Sequence, residues 1–276
     1  MMQLPRTTRR IAVSLAACAG IIASSAVAHA DSLWQSVKTA GVLRCGAAVA
    51  PPYVVRDPQT GAYSGFFSKV CEDFGKQVLH VKVEFVPTTW DNIVAGLQAG
   101  KWDMSMALND TPEREKAVAF SAPVTPYNVS LVYNKNNPKI PKNIKSLADI
   151  DKSDIRIAVM SGTAQDKAIT AALPHAQIVR LPGNDETRLA LMSRRADMIA
   201  DANITNMLLT EANPSWAVAY HPQPPLAQQE VDFGLPKNIS QADLKVLNDF
   251  IAQETKNGDI AAEIKKSVQE MLAVSK

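Results

Sequence analysis

Residues 81–114 read VKVEFVPTTWDNIVAGLQAGKWDMSMALNDTPER, and the order of patterns within them decides the fold class. Residues 81–86 alternate apolar and polar side chains, the period-two signature of a half-buried strand. Thr89 then precedes a helical stretch over 90–99, where Ile93, Val94 and Leu97 share one face and Gly100 supplies the stop. Residues 103–108 return to a strand. Beyond it, Thr111 and Pro112 read as a cap and a first helical residue, opening a short helix over 111–116. Strand, helix and strand in succession imply a parallel sheet covered by helices.

The same alternation continues in both directions. Upstream, 42–46 reads as a strand that ends before the breaker Pro51-Pro52. Residues 64–79 read as a helix carrying Phe66, Phe67, Val70, Phe74 and Val78 near helical spacing. Downstream, a strand over 129–133 leads into a polar loop with Pro138 and Pro141. A second set follows: strands over 155–160, 177–181, 196–200 and 216–220, interleaved with helices over 164–172, 186–194 and 204–211. The stiff segment His221-Pro222-Gln223-Pro224-Pro225 precedes a strand over 231–235 and two final helices, 241–256 and 260–273. Two such sets predict two α/β lobes, each a parallel sheet with helices on both faces. Residues 31–125 plus 227–276 form the first lobe and 126–226 the second. The chain crosses between them near 125–129 and returns near 222–227.

The 276 residues are 46% hydrophobic and 20% charged, an ordinary globular balance. The first thirty hold Arg6, Arg9, Arg10 and no acid. The other 246 residues carry 26 basic and 27 acidic groups, about −1, so the formal +2 does not mark a basic surface. A nucleic-acid partner is therefore not expected. The arginines precede an apolar run over 11–28 that ends in Ala28-His29-Ala30, the pattern of a cleavable secretory signal over 1–30. At about 18 residues the run is short for a permanent span. Leu15-Ala16-Ala17-Cys18 resembles a lipoprotein cleavage motif, and Thr8-Arg9-Arg10 faintly a twin-arginine signal. The long apolar stretch after Cys18 favours cleavage after Ala30 over lipidation. Cys45 and Cys71 then remain, either bridged, as an oxidising compartment allows, or as two buried thiols.

Enzyme motifs are scarce. There is no nucleophile elbow, phosphate loop, dinucleotide fingerprint or zinc-protease helix. The histidines are scattered, without ligand spacing, so neither a metal nor a cofactor is expected. Three features point to binding. Arg114 follows a strand at the carboxyl edge of a parallel sheet, where open α/β folds hold ligands, and a guanidinium grips a carboxylate in bidentate fashion. The alternative is a surface arginine paired with Glu113 or Glu115. Gly162 and Thr163 stand between a strand and a helix start, where free N–H groups attract anions; plain capping by Thr163 is the alternative. Asp201 closes a strand whose other end is flanked by Asp197, and suits an ammonium unless it caps the helix beginning near Asn203. Trp90 offers an aromatic wall or a core residue. Together, a guanidinium, a helix start and a carboxylate split across two lobes match a free α-amino acid, both of whose charges need partners when buried.

Gly61-Ala62-Tyr63-Ser64-Gly65-Phe66, Val83 to Asp91, Leu97 to Asp103, Thr111-Pro112-Glu113-Arg114 and Phe120-Ser121, followed by Val159 to Thr163 and Arg195-Ala196-Asp197 with Asp201, resemble the periplasmic solute-binding proteins of polar amino-acid ABC importers across nearly all of residues 40–270. The resemblance implies a two-lobed type II periplasmic-binding fold with a two-strand hinge. It implies a monomer that carries an amino acid to a membrane permease. It assigns Arg114, Gly162 and Thr163 to the ligand carboxylate, Asp201 to its ammonium, Trp90 to its side chain, and Ala107 and Asn109 to further polar contacts. Ala47, Ala48, Val49 and Ala50 stand where the family often places an acid and an aromatic, and Phe67 replaces an aspartate. These departures weaken selection of lysine or arginine. Some proteins resembling this family are cyclohexadienyl dehydratases or sensor domains. An enzyme would need a further acid or base, for which Asp185 and Glu186 are the candidates, and helix capping explains both.

Overall fold

A computed structural model describes residues 32–274. The expected leader over 1–30, with Cys18, lies outside the described residues. The described residues open with helix α1 (Leu33–Ala40), which the sequence reading does not anticipate. Ser32 caps it, and Gly41 ends it at φ 71°, a left-handed turn that suits glycine. Strand β1 (Val42–Ala47), the short hairpin β2 (Val55–Arg56) and β3 (Tyr63–Ser64), helix α2 (Phe66–Asp73) and strand β4 (Lys82–Pro87) follow. Helix α3 (Ile93–Gln98), strand β5 (Met104–Asn109), strand β6 (Val118–Phe120) and the long strand β7 (Thr125–Asn134) complete the first pass.

The second pass runs β8 (Arg156–Met160), α4 (Ala164–Ala172), β9 (Gln177–Leu181), α5 (Asn184–Met192), β10 (Met198–Ala202), α6 (Asn203–Ala212) and β11 (Ala217–Tyr220). A second long strand, β12 (Leu226–Pro236), returns, and helices α7 (Gln241–Asn257) and α8 (Asp259–Val274) finish the described chain.

Both lobes use one plan. In the first, β1 lies between β4 and β5, parallel to both, and β12 closes the edge antiparallel to β5. In the second, β8 lies between β9 and β10, parallel to both, and β7 closes the edge antiparallel to β10. Strands β7 and β12 pair with each other, so the two halves join in one mixed sheet through two long strands. The expectation of purely parallel sheets is corrected here: the crossing strands enter from the opposite lobe and so run antiparallel.

The repeated plan extends to side chains. Asp103 accepts from Arg44 N, Nε and Nη2 at 2.8, 3.2 and 2.6 Å. Asp197 accepts from Arg156 N, Nε and Nη2 at 3.0, 3.1 and 3.2 Å. Each clamp ties a lobe's first strand to the start of its third. Burial alone would raise the Asp197 carboxyl, but hydrogen bonds from Arg156 and Asn137 outweigh it and hold the group below the usual range.

The core of the first lobe centres on Phe66, Phe67, Phe74, Phe233, Met104 and Met106, all fully buried. Trp34 meets Phe74 edge-on at 5.0 Å, and its indole donates to Asp243 O at 2.6 Å, which fixes α1 to α7. Trp102 lies so close to Gly96 that a Cβ there would stand 1.9 Å from the ring. Glycine is thus required in the middle of α3.

Several boundaries differ from expectation. The helix read over 64–79 is α2 continued by a π-helical turn, Phe74–Leu79. The helix read over 111–116 is a single 3-10 turn, Arg114–Lys116. Strand β10 ends two residues later than read, so Asp201 lies within it. The strand read over 231–235 is the second half of β12. The thiols of Cys45 on β1 and Cys71 on α2 stand at bonding distance, with Cα atoms 7.2 Å apart.

Candidate functional site

The carboxyl ends of β1, β5, β8 and β10 point toward one interlobe cleft, and the loops that follow them build its walls. Ala50, Tyr53, Trp90, Ala107 and Asn109 come from the first lobe. Met160, Thr163, Gln165, Asp201 and Thr205 come from the second, while Tyr127 and Val231 come from the crossing strands. The lobes are shut on one another, leaving a free volume of about 20 Å³ between these walls. That is room for about one water molecule.

Arg114 is 6% exposed and not the surface arginine of the alternative reading. Its Nη1 donates to Asn109 O at 3.2 Å and its Nη2 crosses to Gly162 O of the other lobe at 3.3 Å. Glu113 pairs instead with Lys167 across the same rim. The guanidinium stands at the outer edge of the cleft, in a depression shared with Trp90, Asp91 and Gly162. Burial brings its pKa down to about 10, still charged at neutral pH, against the opposing pull of Tyr127 and Glu113.

Asp201 is 3% exposed. Its Oδ1 accepts from Gln165 Nε2 at 2.9 Å and from Ala202 N at 2.7 Å, and its Oδ2 accepts from Asn184 Nδ2 at 3.0 Å. It does not cap α6 with its side chain. Burial pushes its pKa up to about 6, partly offset by the Ala202 N–H, Arg188 and Asn184. Tyr127 extends the network by donating to Gln165 Oε1 at 2.8 Å.

Asn109 Nδ2 is buried without a hydrogen-bond partner. Ala107 adopts φ 54° inside β5, opposite an irregularity in the β12 pairing, which re-aims the strand end at the cleft. Trp90 lines the cleft and donates to Val49 O at 3.1 Å. Thr163 caps α4 by accepting from Asp166 N at 3.3 Å, and its hydroxyl donates to Met160 O at 2.7 Å. Gly162 has φ 74°, and a Cβ there would lie 2.5 Å from Asp91 Oδ1, so the glycine permits lobe contact. Its N–H faces Asp166 Oδ2 at 3.4 Å rather than standing free.

Thr205 Oγ1 donates to Pro51 O at 2.7 Å and Ser161 Oγ to Asp91 Oδ1 at 3.1 Å, both between lobes. The sequence reading missed Tyr53, Tyr127, Gln165, Asn184 and Thr205. Gln165, two residues beyond Thr163 in the first turn of α4, was the most legible of them. Asp185 and Glu186 lie outside the cleft, in a separate groove with Arg56, Arg188 and Glu270. No group of His, Cys, Asp or Glu among the described residues has metal-site geometry.

Residues 43–270 match the model of the bacterial extracellular solute-binding proteins, family 3. A probable amino-acid ABC transporter periplasmic-binding protein of Sinorhizobium fredii is 29% identical over 197 residues, which are 70% of this chain and 63% of that relative's length. Cyclohexadienyl dehydratase of Pseudomonas aeruginosa is 25% identical over 242 residues, 85% of this chain and 86% of that protein. The crystal structure of an ancestral amino acid-binding protein, a precursor of cyclohexadienyl dehydratase, matches with TM-score 0.76 at 31% identity, over 86% of this chain and 99% of that one. With its two lobes, two crossing strands and this extent of match, the chain belongs to the bacterial extracellular solute-binding proteins, family 3.

Proposed function

We propose that the protein captures a free α-amino acid between its lobes, outside the cytoplasm, and delivers it to the membrane permease of an ABC importer. The observation that carries this reading is the presence of two buried, oppositely charged groups from different lobes, Asp201 inside the cleft and Arg114 at its outer edge. Arg114 and the unpartnered amide of Asn109 supply donors for a carboxylate, with Thr163 at the facing helix start. Asp201 supplies the acceptor for an ammonium. Trp90 and Ala107 bound the space between them.

Loading requires the lobes to part, since the shut cleft has little free volume. The segments near 125–129 and 222–227 act as the hinge, with 31–125 plus 227–276 moving against 126–226. A ligand shifts the opening equilibrium only by what it binds better in the closed form. Here the carboxylate replaces Gly162 O as the partner of Arg114, and the ammonium takes a share of Asp201. Micromolar affinity corresponds to about −8 kcal/mol. The protein works as a monomer exported by its leader, and the reading calls for no cofactor.

An enzymatic reading draws on the dehydratase relative. Asp201, with its pKa near 6, is the cleft group that would serve as the acid. Its oxygens are already engaged by Gln165, Asn184 and Ala202, and Asp185 and Glu186 stand elsewhere, so binding is the better account. A thermal-shift and calorimetric screen against the twenty amino acids tests it: a specific ligand raises the melting temperature by mass action. Absence of any binder, or product formed from prephenate or arogenate, overturns it.

A further inference from the structure

The charges around the cleft say more about the ligand than its two ends. Among the described residues lining the inner cleft, Asp201 is the one carboxylate, and no lysine or arginine lines it; Arg114 reaches its edge. Those two groups neutralise the carboxylate and ammonium of a zwitterion and leave nothing for a third charge. The rest of the wall carries no charge: alanines, Trp90, Met160 and Val231, the phenols of Tyr53 and Tyr127, and the neutral polar groups of Asn109, Thr163, Gln165 and Thr205. Burial pushes both phenols well above their ordinary pKa, so they stay neutral.

The other charges nearby are committed or remote. Asp91 is held by Ser161 and lies in the outer depression beside Arg114 and Lys167. Glu113 and Lys167 pair with each other at the rim. Arg56, Asp57, Asp185, Glu186, Arg188 and Glu270 belong to the separate groove, from which Arg188 acts on Asp201 rather than on the cleft wall.

We infer that the cleft selects α-amino acids whose side chains are uncharged. The inference rests on the amino-acid reading above and narrows it. An unpaired charge enclosed against this wall loses its hydration without gaining a partner. Lysine, arginine, aspartate and glutamate are therefore expected to bind at least about a hundredfold more weakly than the best neutral amino acid.

The test is isothermal titration of the leaderless protein with each of these four and with the neutral set. A neutral amino acid binding tightest, with all four charged ones at least a hundredfold weaker, supports the inference. Any charged one within a hundredfold overturns it and leaves the amino-acid reading intact. Failure of every amino acid to bind instead overturns that reading, and this inference with it. A variant probes the wall directly. Ala50→Asp places a carboxylate at the half-buried edge of the cleft and should raise lysine affinity at least tenfold relative to the best neutral ligand. An unchanged ratio in a folded Ala50→Asp protein overturns the assignment of this wall to the ligand side chain.

Discussion

Arg114 Nη2 donates across the interlobe gap to the carbonyl of Gly162 at 3.3 Å, so the residue proposed to grip the ligand also holds the lobes together. The same guanidinium bonds Asn109 O on its own lobe, which fixes the fork in place before any ligand arrives. Such preorganisation limits the ordering cost of binding.

Replacing Arg114 by Ala should weaken amino-acid affinity by a factor of a hundred or more, because a buried charge-assisted pair is lost. Arg114→Lys should recover only part of it, since an ammonium cannot reproduce the planar fork. Calorimetry decides the point, and near-normal affinity in Arg114→Ala would remove Arg114 from the site.

Asp201 gives a pH signature. With its pKa pushed up to about 6, it takes up a proton as pH falls below that value and loses its attraction for an ammonium. Affinity should therefore weaken by about tenfold per pH unit below about 6. Asp201→Asn should bind weakly at all pH values and abolish this dependence. A flat profile in the unaltered protein argues against the assigned role.

Folding stability should show the opposite trend. Burial, aided by Asp110 and Glu230, pushes buried Asp232 on β12 up to about 7, beside the value of about 6 at Asp201. Both native carboxyls hold protons at pH values where the unfolded chain has released them. Their contribution is full below about pH 3.8, the ordinary Asp value, and is lost as pH rises through about 6 and 7. The ligand-free protein should melt several degrees higher at pH 5.5 than at pH 8, and Asp232→Asn should shrink that difference. Equal melting temperatures in the unaltered protein would refute this.

Two glycines separate folding from closure. Gly96→Ala drives a methyl into Trp102 and should cost about 1–3 kcal/mol of stability. Gly162→Ala meets Asp91 of the facing lobe and strains a φ of 74°, so it should favour the open form and weaken binding. Small-angle scattering of the ligand-free proteins should show Gly162→Ala expanded and Gly96→Ala unchanged in shape below its melting point. A Gly162→Ala protein as compact and as tight-binding as the unaltered one contradicts the contact.

The cysteines have a direct assay. Cys45 and Cys71 are fully buried with their sulfurs adjacent. Protein recovered from an oxidising compartment should yield no alkylatable thiol at these positions until reduced and unfolded. Reduction should cost about 2–4 kcal/mol of stability. Two alkylated cysteines in unreduced, unfolded protein would establish the free-thiol alternative.

Much of this arrangement is legible in the sequence because its causes are local. Residues 103–114 place Arg114 one turn beyond a strand end, and sheet geometry sends that end to the cleft. Asp201 is readable for the same reason. Its partners are not: Gln165 and Asn184 come from α4 and α5, Tyr127 on β7 reaches it only through Gln165, and only tertiary packing brings them together. Helix α1 was equally hidden, since it depends on Asp243, 209 residues from Trp34, which its carbonyl receives. The lengths of β7 and β12 escaped because pairing between lobes, not periodicity, sets them.

Trp90 carries a practical consequence. Its indole is anchored to Val49 on one lobe while its ring borders Met160 and Thr163 from the other. Trp34 and Trp102 are sealed in the first lobe's interior, and Trp216 packs on the second lobe's cluster of Val132, Ile199 and Leu209, all outside the cleft lining. Emission from Trp90 is thus placed to follow capture in real time, and stopped-flow fluorescence of the unlabelled protein should report association and release rates without an attached dye.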